Sequence, residues 1–160
     1  MGGVKITNRN GNAIKEMVAR LEHRLNVKVG ITAAVGSRSH GGATILDIAG
    51  FHEFGTVNIP ARSWLRGWFD ENETEAQNRI RKGMQKVIAG EISIETLGYA
   101  LGLWAQTGIQ ARISAGIAPA LAAETVAKKG SSTPLIDTNV FRSSITFVVE
   151  SGEMLNGVVL

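Results

Sequence analysis

The chain has 160 residues, 44% of them hydrophobic and 19% charged, which fits one globular domain spanning residues 1–160. It contains no cysteine, no apolar run near the roughly 20 residues that cross a bilayer, and no secretory signal in its first residues. We therefore expect a protein made in the cytoplasm that has no membrane partner. Its net charge of +3, from 17 basic and 14 acidic residues, is too mild to indicate a dedicated nucleic-acid-binding protein.

A helix followed directly by a strand is predicted near the start of the chain. Apolar residues recur every three or four positions on one helix face, at Ile14, Met17, Val18, Leu21 and Leu25. Asn12 is the predicted N-cap of this helix. Residues 27–32 then alternate between apolar and polar, which is the period of a strand with one buried face. The segment 36–43, rich in glycine and serine, has no apolar period and is predicted to be a loop.

The next segment, residues 44–54, fits a helix or a strand, because short apolar runs suit both. We favour a helix, since Thr44 and Asp47 resemble a capping box and Gly55 follows as a stop signal. Residues 59–62 are predicted to be extended, because a residue that precedes proline avoids the α region.

Two long helices are predicted in the middle of the chain. One begins near Ser63 and ends at Gly90, and the other is capped by Ser93. The second of them carries glycine at positions 98, 102 and 108, each of which weakens a helix by up to ~1 kcal/mol relative to alanine. We expect these glycines to permit close contact with another helix or with a sheet.

The last part of the chain is predicted to contain a short helix over residues 121–128 with Gly130 as its stop, a loop over 131–134 and a strand over 145–150. Ser151 and Gly152 offer a turn, after which residues 158–160 could return as the partner strand. The order of elements predicts an α+β fold in which a small antiparallel β-sheet packs against two long helices and shorter helices.

No catalytic, cofactor-binding or metal site is predicted. His52 and Glu53 begin like the helix motif of zinc proteases, but position 56, where the second histidine belongs, is threonine. His23 and His40 are the only other histidines, too few for a histidine-based site in a chain without cysteine. Residues 129–132 contain the residue types of a phosphate loop in the wrong order, and no Gly-x-Ser-x-Gly nucleophile motif is present.

Two groups of side chains leave alternatives open. Basic residues at positions 79, 81, 82 and 86 share a helix with acidic residues at 71, 73 and 75, which favours a solvated face over a phosphate-binding stripe, although DNA passing nearby is compatible with it. Large aromatic residues fit a buried core and an interface hot spot equally well. These are Trp64, Trp68, Phe69 and Trp104.

Two passages resemble a known family. Residues 48–56 and 59–66 read IAGFHEFGT and IPARSWLR, which is similar to the "IA-x-x-HEFGT…IPARPFLR" signature of phage virion-morphogenesis proteins, the tail-completion and neck family. Residues 128–139 and 142–145 read KKGSSTPLIDTN and RSSI, which resembles the family's "RKGSSTPLIDTGxLxxSI" segment. Ser63 stands where the family often has proline, and Asn139 where it often has glycine. The resemblance covers residues 44–147, including the helices between the passages.

The resemblance implies a structural α+β protein without catalytic chemistry or cofactor. Such a subunit forms a homo-oligomeric ring, commonly a hexamer and alternatively a dodecamer, at the head-tail junction of the virion. Its partners would be neck, head-completion or portal-adaptor proteins and tail proteins, and DNA would pass through the channel without sequence-specific recognition. A close variant is a tail terminator that caps the tail tube. We expect the loops 36–43 and 114–136 to contact neighbouring subunits, because segments that order on assembly can complete such rings.

Two other classes of function remain as alternatives. A DNA-binding regulator is supported only by the basic pI near 9.5, since no helix-turn-helix with a basic recognition helix is evident. An enzyme such as a small hydrolase ranks last because no site can be assembled, and loss of an activity on mutation of His52 or Asp137 would revive it.

Overall fold

The structure is a computed structural model that describes residues 11–21, 23–40, 42–119 and 140–153. The helices are α1 (Gly11–Leu21), α2 (Ala33–Gly36), α3 (Ile45–Phe54), α4 (Arg66–Ala89), α5 (Ile94–Ala115) and α6 (Val140–Ser143). The strands are β1 (His23–Ile31), β2 (Ser39–His40), β3 (Ala43–Thr44) and β4 (Ile145–Glu153). This is the predicted α+β fold, with an antiparallel two-stranded sheet and two long helices. No helix in the described ranges is long and apolar enough to cross a membrane.

The main sheet pairs β1, near the start of the described chain, with β4, at its end. Strands β1 and β4 are antiparallel, from His23 opposite Glu153 to Ile31 opposite Ile145. The predicted turn at Ser151 and Gly152 is therefore wrong: both residues continue β4, because β1 offers them partners. The predicted return strand over residues 158–160 lies outside the described residues, as do the helix over 121–128 and the loop over 131–134.

Several predicted boundaries move by a few residues. Leu25, assigned to the first helix face, lies in β1 instead, where it packs against the cluster around Val87. Asn12 lies inside α1, which already begins at Gly11. The predicted loop over 36–43 contains part of a small ladder, in which β2 pairs with β3.

The glycines of α5 allow it to lie close to the sheet and to α4, as predicted. A Cβ atom added at Gly98 would come within 2.8 Å of Val149, and one added at Gly108 within 2.5 Å of the Trp68 ring. A Cβ atom at Gly102 would overlap the ring of Phe147. Contacts this close need residues without side chains, so the glycines that weaken the helix in isolation are the ones that let it pack at the centre of the fold.

The hydrophobic core consists of two clusters. The larger one joins α3, α5, β4 and the start of α4, and the smaller one, of Val87, Ile94 and Leu97, lies where α4 turns into α5. Trp64 and Trp68 are buried in the larger cluster, and Trp104 packs against it. Trp64 and Trp68 therefore belong to the core, and Trp104 is partly buried at its edge. Phe69 is exposed.

Candidate assembly surface

The first passage that resembles the phage family lies on α3, on the loop after it and on the first turn of α4. The predicted capping box of α3 is present: the Thr44 N–H donates to Asp47 Oδ2 at 3.0 Å, and the Asp47 N–H donates to Thr44 Oγ1 at 3.1 Å. The Thr44 hydroxyl also donates to Asp47 Oδ2 at 2.6 Å, and these hydrogen bonds lower the pKa of the Asp47 carboxyl. The start of α3 is therefore determined locally.

The end of α3 is tied to the start of α4 by Glu53, whose side chain is buried at 6% exposure. Its carboxylate accepts hydrogen bonds from the Ser63 hydroxyl at 2.6 Å, from the Leu65 N–H at 2.9 Å and from the Arg66 N–H at 3.1 Å. Ser63 Oγ in turn accepts from the Gly67 N–H at 3.0 Å. Glu53 and Ser63 together occupy donors at the N-terminus of α4 that no helical carbonyl can reach.

Ser63 explains why the second long helix begins at Arg66 and not near position 63 as predicted. Its side chain caps the helix from outside, while residues 63–65 complete the crossing from α3. Trp64 anchors this crossing, because its ring N–H donates to the carbonyl oxygen of Ala49 at 3.1 Å and its ring meets Phe141 edge-on at 5.2 Å.

Arg62 is the second buried charged residue of this passage, at 3% exposure. Its backbone N–H donates to the carbonyl oxygen of His52 at 2.6 Å, and its Nε donates to the carbonyl oxygen of Pro119 at 2.8 Å. Desolvation lowers the pKa of its guanidinium from the ordinary value. A charge this buried has to be hydrogen-bonded to be tolerated, so the chain around residues 52 and 119 is positioned by Arg62.

The loop between α3 and Arg62 is tightly folded. Gly55 has φ +78°, and a Cβ atom there would lie 2.9 Å from the backbone nitrogen of Ala61, so glycine is needed for both reasons. The Thr56 hydroxyl accepts from the N–H groups of Asn58 and Ile59 at 3.3 and 3.0 Å, and the Thr56 N–H donates to the Ile59 carbonyl at 2.7 Å. These bonds close the loop on itself between residues 56 and 59.

The segment formed by α3 and its following loop exposes several large apolar side chains. The large exposed apolar residues here are Leu46, Phe51 and Phe54 of α3 and Val57 of the loop that follows it. Phe54 is 73% exposed and Val57 is fully exposed. We call Leu46, Phe51, Phe54 and Val57 the α3 surface. Glu53 and Arg62 of the same segment are buried, whereas Asp47, Thr56 and Asn58 are exposed, so exposed apolar and polar side chains lie together here.

The described end of the second passage meets the first in the core. Phe141 packs on Trp64, and Ile145 is fully buried in the same cluster. Arg142 Nη1 donates to Ser114 Oγ at 2.9 Å, and the Ser144 hydroxyl donates to the Val140 carbonyl at 2.6 Å. Residues 128–139, including Asp137 and the phosphate-loop-like residues 129–132, lie outside the described residues.

Among the candidate chemical residues, the structure describes the surroundings of His52 and Glu53. His52 lies on α3 next to Glu53 and is half-buried. Its carbonyl oxygen accepts a hydrogen bond from the Arg62 N–H. Within the described ranges, no group of three histidine, aspartate or glutamate side chains is placed to hold a metal ion. The charged residues of α4 are exposed, and Arg79 pairs with Glu75 at 2.8 Å while lying over the Trp104 ring at 4.8 Å.

Sequence patterns did not assign a role to Glu53, Arg62, Phe54 or Val57. A signal for the first two existed, because a charged residue inside a short apolar run must be paired if the run is buried. No comparable signal marks Phe54 and Val57. From sequence alone an apolar residue is expected in the core, and only the tertiary structure shows that it is exposed. No protein-family model, curated protein or solved structure matches this chain.

Proposed function

We propose that this chain is a structural virion protein of a tailed bacteriophage, a subunit of a ring at the head-tail junction that joins or closes head and tail around the DNA channel. The resemblance of residues 48–66 and 128–145 to phage tail-completion and neck proteins supports this proposal. The partners are other copies of the chain and the neighbouring neck, head-completion or portal-adaptor and tail proteins.

The observation that carries the proposal is the exposed α3 surface. Exposed apolar patches bounded by polar residues are typical of protein-protein contacts, and aromatic residues are enriched at the centres of such contacts. Glu53, Thr56 and Arg62 hold the surface in place before any partner binds. Less conformational entropy is then lost on association, which suits a subunit that has to assemble with defined geometry.

Electron microscopy of particles produced without this protein tests the proposal. Filled heads separate from finished tails would indicate a joining role, whereas overlong tails would indicate the tail-terminator variant. Normal infectious particles would contradict both. Complementation with the wild-type chain should restore complete particles, which shows that the defect comes from this protein alone.

Complementation with variants tests the α3 surface itself. Val57→Asp places a charge at the tip of the loop and should abolish complementation while leaving the folded chain intact, because Val57 has no packing to lose. Val148→Asp is the matched control, since it introduces the same charge on an exposed valine of β4, opposite Lys28. Equal complementation by the two variants would remove the α3 surface from the proposal.

A further inference from the structure

The exposed side chains of α4 carry opposite charges in the two halves of the helix. After Arg66, the charged side chains of this helix are all exposed, acidic first and basic second: Asp70, Glu71, Glu73 and Glu75, then Arg79, Arg81, Lys82 and Lys86. The helix dipole does not explain this order, because it acts on the terminal turns only. The first turn of α4 holds no acidic residue, and the last turn holds only Lys86.

Part of this charge is neutralised within the molecule and part is not. Glu75 pairs with Arg79 at 2.8 Å, and Glu71 pairs with Arg112 of α5. Glu73 and Arg81 form no ion pair within the ranges that the structure describes. Glu73 accepts a hydrogen bond from Gln77, and Arg81 donates one to Asn78. Both partners are neutral amides, so they do not offset the charges of Glu73 and Arg81.

Glu73, Gln77 and Arg81 follow one another at intervals of four residues, which places them on one side of the helix. Glu73 and Arg81 are about 12 Å apart along the axis. Phe69 and Ile80 flank them and are 40% and 46% exposed. We call Phe69, Glu73, Gln77, Ile80 and Arg81 the outer stripe of α4. It combines apolar area with one charge of each sign.

We propose that two copies of this chain pair through the outer stripe of α4, with the two helices antiparallel and Gln77 at the two-fold axis. Glu73 and Arg81 are each four residues from Gln77, so Glu73 of each copy then faces Arg81 of the other. A parallel pair in register would instead oppose like charges. Charge complementarity therefore selects a second copy of the same chain, in the antiparallel orientation, as the occupant of this surface.

This contact goes beyond the proposed ring and does not depend on it, because it needs only two copies in solution. A ring requires contacts between two different surfaces, whereas the α4 contact uses the same surface twice. If the ring is a hexamer, the additional two-fold contact pairs two rings into an assembly of twelve. A single pair of helices is at the small end of specific interfaces, so we expect reversible, concentration-dependent dimers.

Sedimentation equilibrium of the full chain with charge-reversed variants tests the pairing. Glu73→Arg and Arg81→Glu each turn two attractive contacts into two repulsive ones, and each should weaken dimerisation at least about tenfold. The double variant, with both reversals in one chain, should dimerise like the wild type. An equimolar mixture of the two single variants should also form dimers, because every facing pair is again of opposite charge.

Lys82→Glu is the matched control. Lys82 adjoins Arg81 in sequence and is also exposed, but helix geometry places it on a different side from the outer stripe, so its reversal should leave dimerisation nearly unchanged. Circular dichroism should show that all variants keep the wild-type helix content, since the altered side chains are exposed. A wild-type chain that stays monomeric, or single variants that the double variant and the mixture do not rescue, would overturn the pairing. Neither outcome affects the head-tail test.

Discussion

The carboxylate of Glu53 and the hydroxyl of Ser63 lie 2.6 Å apart and join the end of α3 to the start of α4. Glu53 is buried and Ser63 is partly buried, and the same carboxylate accepts from the N–H groups of Leu65 and Arg66. A buried carboxylate is costly unless hydrogen bonds replace its water, and a helix N-terminus supplies suitable donors. Glu53, which looks catalytic in the sequence, therefore holds the end of α3 to the start of α4.

Replacement of Glu53 tests the contact between the end of α3 and the start of α4. Glu53→Ala leaves the Ser63 hydroxyl and two backbone N–H groups without their acceptor, so we expect a loss of about 2 to 4 kcal/mol in the free energy of unfolding. Glu53→Gln keeps one acceptor oxygen and should lose less. Urea denaturation followed by circular dichroism measures both variants.

Glu91→Ala is the control for this change, because Glu91 is exposed and its removal should alter the free energy of unfolding by no more than about 0.5 kcal/mol. If Glu53→Ala proved as mild as Glu91→Ala, the carboxylate would not be what holds α4 to α3.

The features that sequence patterns predicted are local ones. The capping box of Thr44 and Asp47, the cap of α5 by Ser93 and the end of α4 at Gly90 each depend on residues a few positions apart. The alternation in residues 145–150 indicated a strand, but a period says nothing about which strand is its partner. Ser151 and Gly152 were assigned to a turn for the same reason, because their partners in β1 are more than a hundred residues away.

The candidate site shows the same limit. Glu53 lies in the first family-like passage, but it acquires its contacts only when the chain returns ten residues later at Ser63. The exposure of Phe54 and Val57 also depends on tertiary packing, since periodicity alone assigns apolar residues to a buried face.

Close packing between α5 and β4 is tested at Gly102. A Cβ atom there would overlap the Phe147 ring, so Gly102→Ala should lower the free energy of unfolding by about 1 to 3 kcal/mol. The same substitution at Gly50 in α3 meets nothing within 4 Å and should raise stability by about 0.5 to 1 kcal/mol through better helix propensity. Thermal unfolding compares the two variants, and changes of the same sign would contradict the packing at Gly102.

The pKa of Asp47 is tested by carboxyl NMR. Hydrogen bonds from Thr44 lower this pKa in the folded state, so Asp47 contributes stability above its unfolded value of 3.8. That contribution is lost as the pH falls through the lower folded value. Thr44→Val removes the hydroxyl and should move the pKa upward, and Asp47→Asn should make stability less dependent on pH in this acidic range. An Asp47 pKa that is unchanged in Thr44→Val would contradict the hydrogen-bonded capping box.

The same substitution at two phenylalanines tests whether the α3 surface contributes to the stability of the fold. Phe54 is exposed and Phe141 is buried against Trp64. Phe54→Ser should change the free energy of unfolding by less than about 0.5 kcal/mol, because a surface side chain contributes little to folding. Phe141→Ser should cost about 3 to 5 kcal/mol, since it opens a cavity and buries a hydroxyl. Urea denaturation measures both, and the Phe54→Ser protein is then tested in the complementation experiment. We expect the Phe54→Ser protein to be stable but unable to support particle assembly, because Phe54 contributes to the α3 surface and not to the core.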